Sequence, residues 1–396
     1  MDDAKVVELV EQLLLEHPPA TSSPEELWGA QFDLGLAWIH FPVGRGGLGL
    51  DPRLQEVVDE RLRDAGVPSN LMVNMMGVGM AGPTLLTYGT EEHLDRFLRP
   101  AFSCQEIWCQ MFSEPGAGSD LAALSTRAVR DGDEWVVDGQ KVWTTQAHVA
   151  KWGLLLTRSD PEAPKHKGLT YFFIDMESPG VEVRPLRQLT GEAEFNEVYF
   201  TGLRVPDSQR LGAVGDGWRV ALTTLMNERV TVGALGKEAR GMGDVRHAVR
   251  LWQERGLNDP VQRDQLARLW IEGEVVRLTN LRAQAKRDQG EPGPEGAILK
   301  LMLGTYQQRL YSFALHLLGP EGMLISDYEM RRPAVQGEAF ADEGFDLQKA
   351  FLTVRGTTIG GGTTDIGRNI LGERVLGLPG EPRVDKDLPW SKVPRS

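Results

Sequence analysis

Two hydrophobic rhythms alternate along the chain. From the N-terminus to about residue 105 apolar side chains recur every three or four positions, as in Val6, Leu9, Val10, Leu13 and Leu14, the spacing of one helix face. A further helix is expected near Leu54–Leu62, followed by the apolar stretch Leu71–Met80. Gly89 reads as a helix stop and Thr90 as the N-cap of the next helix, with His93 standing where a capping box has glutamate. Between residues 106 and 215 the period shortens to two in β-branched and aromatic runs: Trp135–Val137, Gly153–Thr157, Leu169–Ile174, Val181–Arg184 and Glu197–Phe200. Turns such as Asp131-Gly132-Asp133 and Ser178-Pro179-Gly180 separate them. Helical spacing returns from Gly217, over about 219–235, 238–255, 260–288, 294–318, 345–355 and 365–373, with Gln289–Gly293 as a loop. The order predicts an α+β multidomain fold: an N-terminal α-helical domain (1–105), a middle β-sandwich or barrel domain (106–215) and a C-terminal α-helical bundle (216–396). Val220–Val230 is apolar nearly all round, so that helix is expected to be buried, and it carries Glu228 and Arg229.

Composition narrows the function classes. The 396 residues exceed a single typical core. The formal charge of −13 argues against nucleic acid or an anionic membrane as the main partner. Mean hydropathy is −0.28, and no apolar run reaches the ~18 residues of a membrane helix. The acidic start, Met1-Asp2-Asp3-Ala4-Lys5, lacks a signal-peptide pattern. Cys104 and Cys109 form neither a C-x-x-C pair nor a disulfide framework, which fits a reducing cytoplasm. The seven histidines have no metal-ligand spacing, so no metal site is expected.

The chemistry concentrates in two segments. Residues 111–121, Met-Phe-Ser-Glu-Pro-Gly-Ala-Gly-Ser-Asp-Leu, cannot form a helix or a regular strand. Pro115 removes a donor and fixes φ, and Gly116 and Gly118 free the backbone to turn close to a ligand. Ser113, Ser119 and several N–H groups are then available to a polar partner. Further on, Trp135–Gln140 is read as making a tight turn into the strand Lys141–Thr145, where Trp143 can stack on a flat ring and Thr145 can bond its edge. Gly44-Arg45-Gly46-Gly47-Leu48-Gly49 matches G-x-G-x-x-G literally. It is read as a turn between N-terminal helices, because Phe41-Pro42 stands before it and Asp51-Pro52 breaks the chain after it, so no βαβ unit surrounds it.

These segments resemble the acyl-CoA dehydrogenase family, in which a "TEPGAGSD"-type loop and a "W-x-T" strand cradle the isoalloxazine of FAD. The likeness runs from about Gly77 to Pro379, and the glycine turn at 44–49 resembles the family's "GGLGL". The resemblance implies that Phe112 and Ser113 lie against the flavin, that Ser119 bonds a phosphate or the thioester ligand, that Trp143 covers the ring and that Thr145 bonds N5. Donors at the pyrimidine edge would stabilise the charge of the reduced ring. Thr357–Asp365, with Gly361, Thr363 and Asp365, resembles a second cofactor element, often offered to a neighbouring subunit. Its three glycines open a helix whose N–H groups suit an anion, although Thr363 or Asp365 can equally serve only as an N-cap. Arg255 resembles a pyrophosphate-binding arginine, yet the usual Phe-Gly after it is absent. Gly319-Pro320-Glu321-Gly322 replaces a usual Gly-Gly-x-Gly, and His316 a usual glutamine.

Dehydrogenation of a thioester at Cα–Cβ needs a carboxylate to take the α-proton. Many members of the family supply it from a "Y-E-G-T" segment. Aligned on Gly362-Thr363, that glutamate falls on Gly361 and the tyrosine on Gly360. The candidate base is therefore Glu228, as in members resembling long-chain and branched-chain dehydrogenases. The alternative is that Glu228 is a structural ion-pair partner. Arg229 stays protonated and either holds the helix or lies near the ligand. Glu194–Phe200 resembles a substrate wall and reads equally as a core strand. The implied function is FAD-dependent α,β-dehydrogenation of a branched or bulky acyl-CoA in fatty acid or steroid degradation, with electrons passing to an electron-transferring flavoprotein. The implied assembly is a homodimer, a homotetramer or a heterotetramer with a second acyl-CoA dehydrogenase-like chain. A non-catalytic FAD-binding partner subunit and an O₂-using oxidase are the competing readings.

Overall fold

The structure, a computed structural model, describes residues 2–234, 240–241, 243–288, 293–334, 345–382, 385 and 387–394, with backbone alone at 229–234 and 287–288. Six helices come first: α1 Asp2–Glu16, α2 Pro24–Asp33, α3 Gln55–Asp64, α4 Leu71–Met76, α5 Gly82–Tyr88 and α6 Glu91–Phe102. Val6, Val10 and Leu13 form the buried stripe of α1 that the spacing predicts. The imperfect capping box is real: His93 N–H donates to Thr90 Oγ1 (3.3 Å) and Thr90 N–H to His93 Nδ1 (3.2 Å). An imidazole nitrogen can thus accept where glutamate usually does. The stretch Leu71–Met80 is interrupted: Gly77–Ala81 widens into a π-turn between α4 and α5. The glycines at 44–49 lie in turns between α2 and α3, with Ala37 and Trp38 N–H both bonded to Gly46 O and no strand leading in.

Eight strands follow: β1 Trp108–Met111, β2 Arg127–Asp131, β3 Glu134–Thr145, β4 Trp152–Arg158, β5 Leu169–Asp175, β6 Val181–Pro185, β7 Phe195–Pro206 and β8 Arg210–Leu211. They run in the order β6-β7-β3-β2-β4-β5-β8, with β1 parallel beside β4. The two halves of the sheet join through one parallel pairing, Arg127 with Arg158. Val137, Val198 and Phe200 from one half nonetheless share a core with Leu155, Phe172 and Ile174 from the other. The sheet therefore folds over on itself as a sandwich. β4 and β5 are buried on both faces because their alternate residues, Leu154, Leu156, Tyr171 and Phe173, enter a second core with the N-terminal helices. The expected turn at Gln140 is instead a bulge within β3, where the register with β7 slips between Val137 and Gly139. Gly139 permits it, since a Cβ there would meet Thr126 at 2.6 Å.

The remaining helices are α7 Gly217–Ala234, α8 Val245–Glu254, α9 Pro260–Asp288, α10 Glu295–Leu317, α11 Leu347–Thr353 and α12 Thr364–Arg374. α8 starts later than the expected 238, behind a turn at Gly241 with φ +72°, and most of the loop expected at 289–293 lies outside the described residues. A separate core of Val245, Leu266, Leu269, Tyr306 and Leu310 joins α8, α9 and α10. α7 spans the two regions: its first turns, through Val220 and Ala221, are buried in the core of the N-terminal helices and the sheet.

Candidate active site

The loop that leaves β1 is closed at its root by reciprocal hydrogen bonds between Glu114 and Ala117, each 3.0 Å, around Pro115-Gly116. Beneath it lies a buried ion pair. Glu114 Oε1 meets the fully buried Lys141 Nζ at 2.8 Å and accepts from Thr126 N–H, while Oε2 accepts from Ser125 N–H and Oγ–H. Lys141 Nζ also donates to Phe112 O at 3.0 Å. Burial by itself would raise the Glu114 pKa, but the Lys141 charge and these donors outweigh it and hold the carboxyl at about 2. The ring of Phe112 is committed to the core, edge-on to Tyr171 at 5.7 Å. A Cβ at Gly116 or Gly118 would meet nothing within 4 Å, and Ser119 is exposed.

Ser113 O accepts from Val142 N–H at 2.9 Å, which sets the loop beside Trp143 and Thr145. β3 breaks register with β7 a second time between Lys141 and Thr144, and Trp143 sits in that break with φ +60°. This left-handed conformation costs a tryptophan ~1–3 kcal/mol. It turns the indole out of the sheet, 58% exposed and backed by Phe195 edge-to-face at 5.8 Å. Thr144 points inward, its hydroxyl buried without a partner among the described residues, and Thr145 is half-buried. A strained, presented aromatic beside a loop whose glycines face open space fits a flat cofactor with polar edges. The residues present therefore suit FAD. Phe195 opens the Phe195–Phe200 run against Trp143, whereas Val198 and Phe200 enter the β core, as the core-strand reading expects.

α7 is fixed to this platform by hydroxyls. Thr224 Oγ1 lies 3.1 Å from Tyr171 Oη and 3.0 Å from Thr84 Oγ1, and Tyr88 Oη lies 3.1 Å from Thr223 Oγ1. Phe112, Tyr171 and Thr224 thus link the loop to a point one helical turn before Glu228. The helix is not buried all round as its sequence suggests: Leu222 and Met226, four residues apart, are exposed on one face, Met226 at 62%, and Glu228 is half-buried. The cause is that the polar Thr224, rather than those apolar residues, faces the sheet. Arg229 lies on the α7 backbone, and its side chain is outside the described residues.

Glu228 and Gly361 come together. A Cβ built on Gly361 would lie 3.6 Å from Glu228 Oε1 and 3.8 Å from Lys300 Nζ of α10. Gly361 has φ +66° and Gly362 φ +100°, conformations that disfavour any side chain. Around Gly362 a Cβ would meet nothing within 4 Å. Thr363 Oγ1 caps α12 by accepting from Ile366 N–H at 3.2 Å, and exposed Asp365 pairs with Arg368 at 3.1 Å. Arg255 pairs with Glu321 of the altered Gly-Pro-Glu-Gly segment, and its Nη1 donates to Leu318 O at 3.4 Å. Sequence reasoning singled out neither Glu114, Lys141 nor Lys300. For Lys141 a signal existed, a lysine between Gln140 and Val142 within an otherwise half-apolar strand.

Families of known proteins match almost the whole chain. The acyl-CoA dehydrogenase N-terminal domain matches residues 5–105, the middle domain 109–203 and the C-terminal domain 215–376. The chain is 39% identical over 385 residues to the acyl-CoA dehydrogenase FadE34 of Mycobacterium tuberculosis (strain ATCC 25618 / H37Rv), covering 96% of this chain and spanning 50% of FadE34. It is 38% identical over 350 residues to the acyl-CoA dehydrogenase IpdE1 of the same organism, covering 88% of this chain and 86% of IpdE1. Among solved structures, the Tcur3481-Tcur3483 steroid ACAD superposes with a TM-score of 0.74 at 28% identity, covering 96% of this chain and 97% of that one.

Proposed function

The chain belongs to the acyl-CoA dehydrogenase family, and on that premise we propose that it oxidises a branched or ring-bearing acyl-CoA thioester to the 2-enoyl-CoA, with Glu228 taking the α-proton. The observation that carries this reading is the meeting of Glu228 Oε1 with the space in front of Gly361. Chains resembling the family's Y-E-G-T pattern reach that space with a glutamate from the glycine segment itself. Here the carboxylate arrives from α7 instead. Its half-burial limits its hydration, which favours proton removal from carbon. When bound, FAD supplies the acceptor for the β-hydride at N5. Trp143 would cover the ring, Thr145 and the Ser113 backbone would lie at its edge, and Ser119 would reach a phosphate or the thioester.

Gly360, Gly361 and Gly362 place no side chain where a tyrosine and a glutamate stand elsewhere in the family. Their lack of bulk suits a wide acyl group, in keeping with the name of the structurally similar steroid ACAD. Glu228→Gln under anaerobic conditions with a branched or steroid-type acyl-CoA is expected to slow flavin bleaching by a factor of ~10²–10⁴. Bleaching at the wild-type rate would remove Glu228 from the role. In a substrate panel, faster turnover of straight eight-carbon acyl-CoA than of any branched or cyclic one would contradict the wide pocket.

One observation favours a second reading. Arg255, the pyrophosphate candidate, is engaged by Glu321, so the adenosine side of FAD would draw on a second acyl-CoA dehydrogenase-like chain. Size-exclusion chromatography with light scattering of the chain alone and with such a partner, read together with flavin content, separates a homo-oligomer from a heterotetramer. An electron-transferring flavoprotein is the proposed acceptor, and peroxide formation after substrate reduction would point to an oxidase instead.

A further inference from the structure

Three elements converge on one spot: α7 with Glu228, α10 with Lys300, and the glycine segment that precedes α12. Lys300 Nζ donates to Thr357 O at 2.6 Å and to Gly360 O at 2.5 Å, so it ties two carbonyls of the segment that leads into the glycine turn to α10. The approach is close because Gly304, one turn further along α10, lets the helix pack against Thr357, where a Cβ would lie 3.1 Å from the carbonyl oxygen. The same ammonium borders the Gly361 space that Glu228 Oε1 reaches. We propose that Lys300 is a positioning residue for the reaction: it fixes the glycine turn beneath the acyl thioester and, as a cation facing Glu228 across the Gly361 space, helps to keep that carboxylate ionised and ready to accept the α-proton. The inference rests on the reading of Glu228 as the base.

The groups that face one another here come from all three elements. Burial lowers the Lys300 pKa, and among the described residues the charge acting against that shift is Glu228. The charges at the start of α12, Asp365 and Arg368, pair with each other and are exposed. Two carbonyl acceptors and a carboxylate favour the ammonium form of Lys300 over the amine. A cation close to a carboxylate favours its ionised form, so without Lys300 the carboxylate would hold its proton to higher pH. The acid limb of the rate profile, below which the base is protonated and idle, would then move upward. A purely structural lysine would lower the rate equally at every pH.

The test is anaerobic stopped-flow reduction of the flavin of the holoenzyme across pH, with one branched acyl-CoA, for wild type, Lys300→Gln, Lys300→Arg and Glu228→Gln. Gln keeps a donor for the two carbonyls but no charge, and Arg keeps the charge. The expected result is an acid limb raised by ~1 unit or more in Lys300→Gln, with about tenfold slower reduction below the limb, and a limb at the wild-type position in Lys300→Arg. A wild-type limb in Lys300→Gln, or a loss uniform across pH, overturns the inference and leaves the Glu228 reading standing. Wild-type bleaching by Glu228→Gln overturns that reading and this inference with it. Should Lys300→Gln fail to hold flavin, the reciprocal titration decides, because coupling between two sites is mutual. The Lys300 pKa, read by NMR after ¹³C reductive methylation, is expected to fall in Glu228→Gln. An unchanged value overturns the proposal.

Discussion

At the scale of single residues, the candidate site combines strain and buried charge in and beneath the loop that leaves β1. Trp143 holds φ +60° in the β3 break. Trp143→Gly would relieve that backbone cost, so the cofactor-free chain is expected to keep its stability or gain about 1 kcal/mol while FAD affinity falls. Urea titration and flavin retention during gel filtration measure the two effects separately. Glu114 and Lys141 form the other device. Removing one partner of a buried pair leaves an uncompensated charge, so Lys141→Met is expected to cost about 3–5 kcal/mol and to loosen the loop. The Glu114 pKa is depressed to about 2 in the folded chain, so its contribution is present above the ordinary carboxylate range and is lost as pH falls from about 4.5 toward 2. Acid unfolding followed by tryptophan fluorescence should show this loss in wild type and not in a Glu114→Gln, Lys141→Met double variant. The proline, glycines and hydroxyls of the loop were legible in the sequence because each carries a local backbone meaning. The ion pair was not, because its partners lie 27 positions apart and only folding brings them together.

At the scale of elements, periodicity located the long helices and strands β3 to β7, but not α2, the short strands β1, β2 and β8, or the local exceptions. The capping box at Thr90 and His93 could be read directly, since both groups belong to one turn. The bulge in β3 passed for a turn because glycine serves both, and only the packing of Gly139 on Thr126 distinguishes them. α7 looked buried because its composition is apolar; which face meets the sheet was decided by Thr223 and Thr224, whose hydroxyls find Tyr88 and Tyr171. Thr224→Val, close in volume, is expected to leave two buried hydroxyls, Tyr171 and Thr84, short of a partner and to destabilise the chain by about 1–3 kcal/mol. Flavin reduction should slow as well, because this contact sets the register of Glu228 against the loop. Unchanged reduction kinetics would show that α7 is positioned by its apolar contacts alone.

At the scale of the whole molecule, a folded β-sandwich carries the proposed flavin platform, and a helix anchored on it delivers a carboxylate to a glycine turn in the C-terminal bundle. The helix–sheet–helix order was legible because the hydrophobic period changes twice. The convergence of Glu228, Lys300 and Gly361 was legible only in part, since the glutamate and the glycine it faces lie 133 positions apart. The resemblance pointed to both positions, and the fold put them in one place. The proposed role of Glu228 predicts a separable half of the reaction: the protein should exchange the α-hydrogen of a bound acyl-CoA with solvent. Deuterium incorporation at the acyl α-carbon in D₂O, followed by mass spectrometry on a branched thioester, therefore tests the central claim most directly. Wild type is expected to exchange and Glu228→Gln to do so at least ~100-fold more slowly; exchange by Glu228→Gln at the wild-type rate would contradict the account.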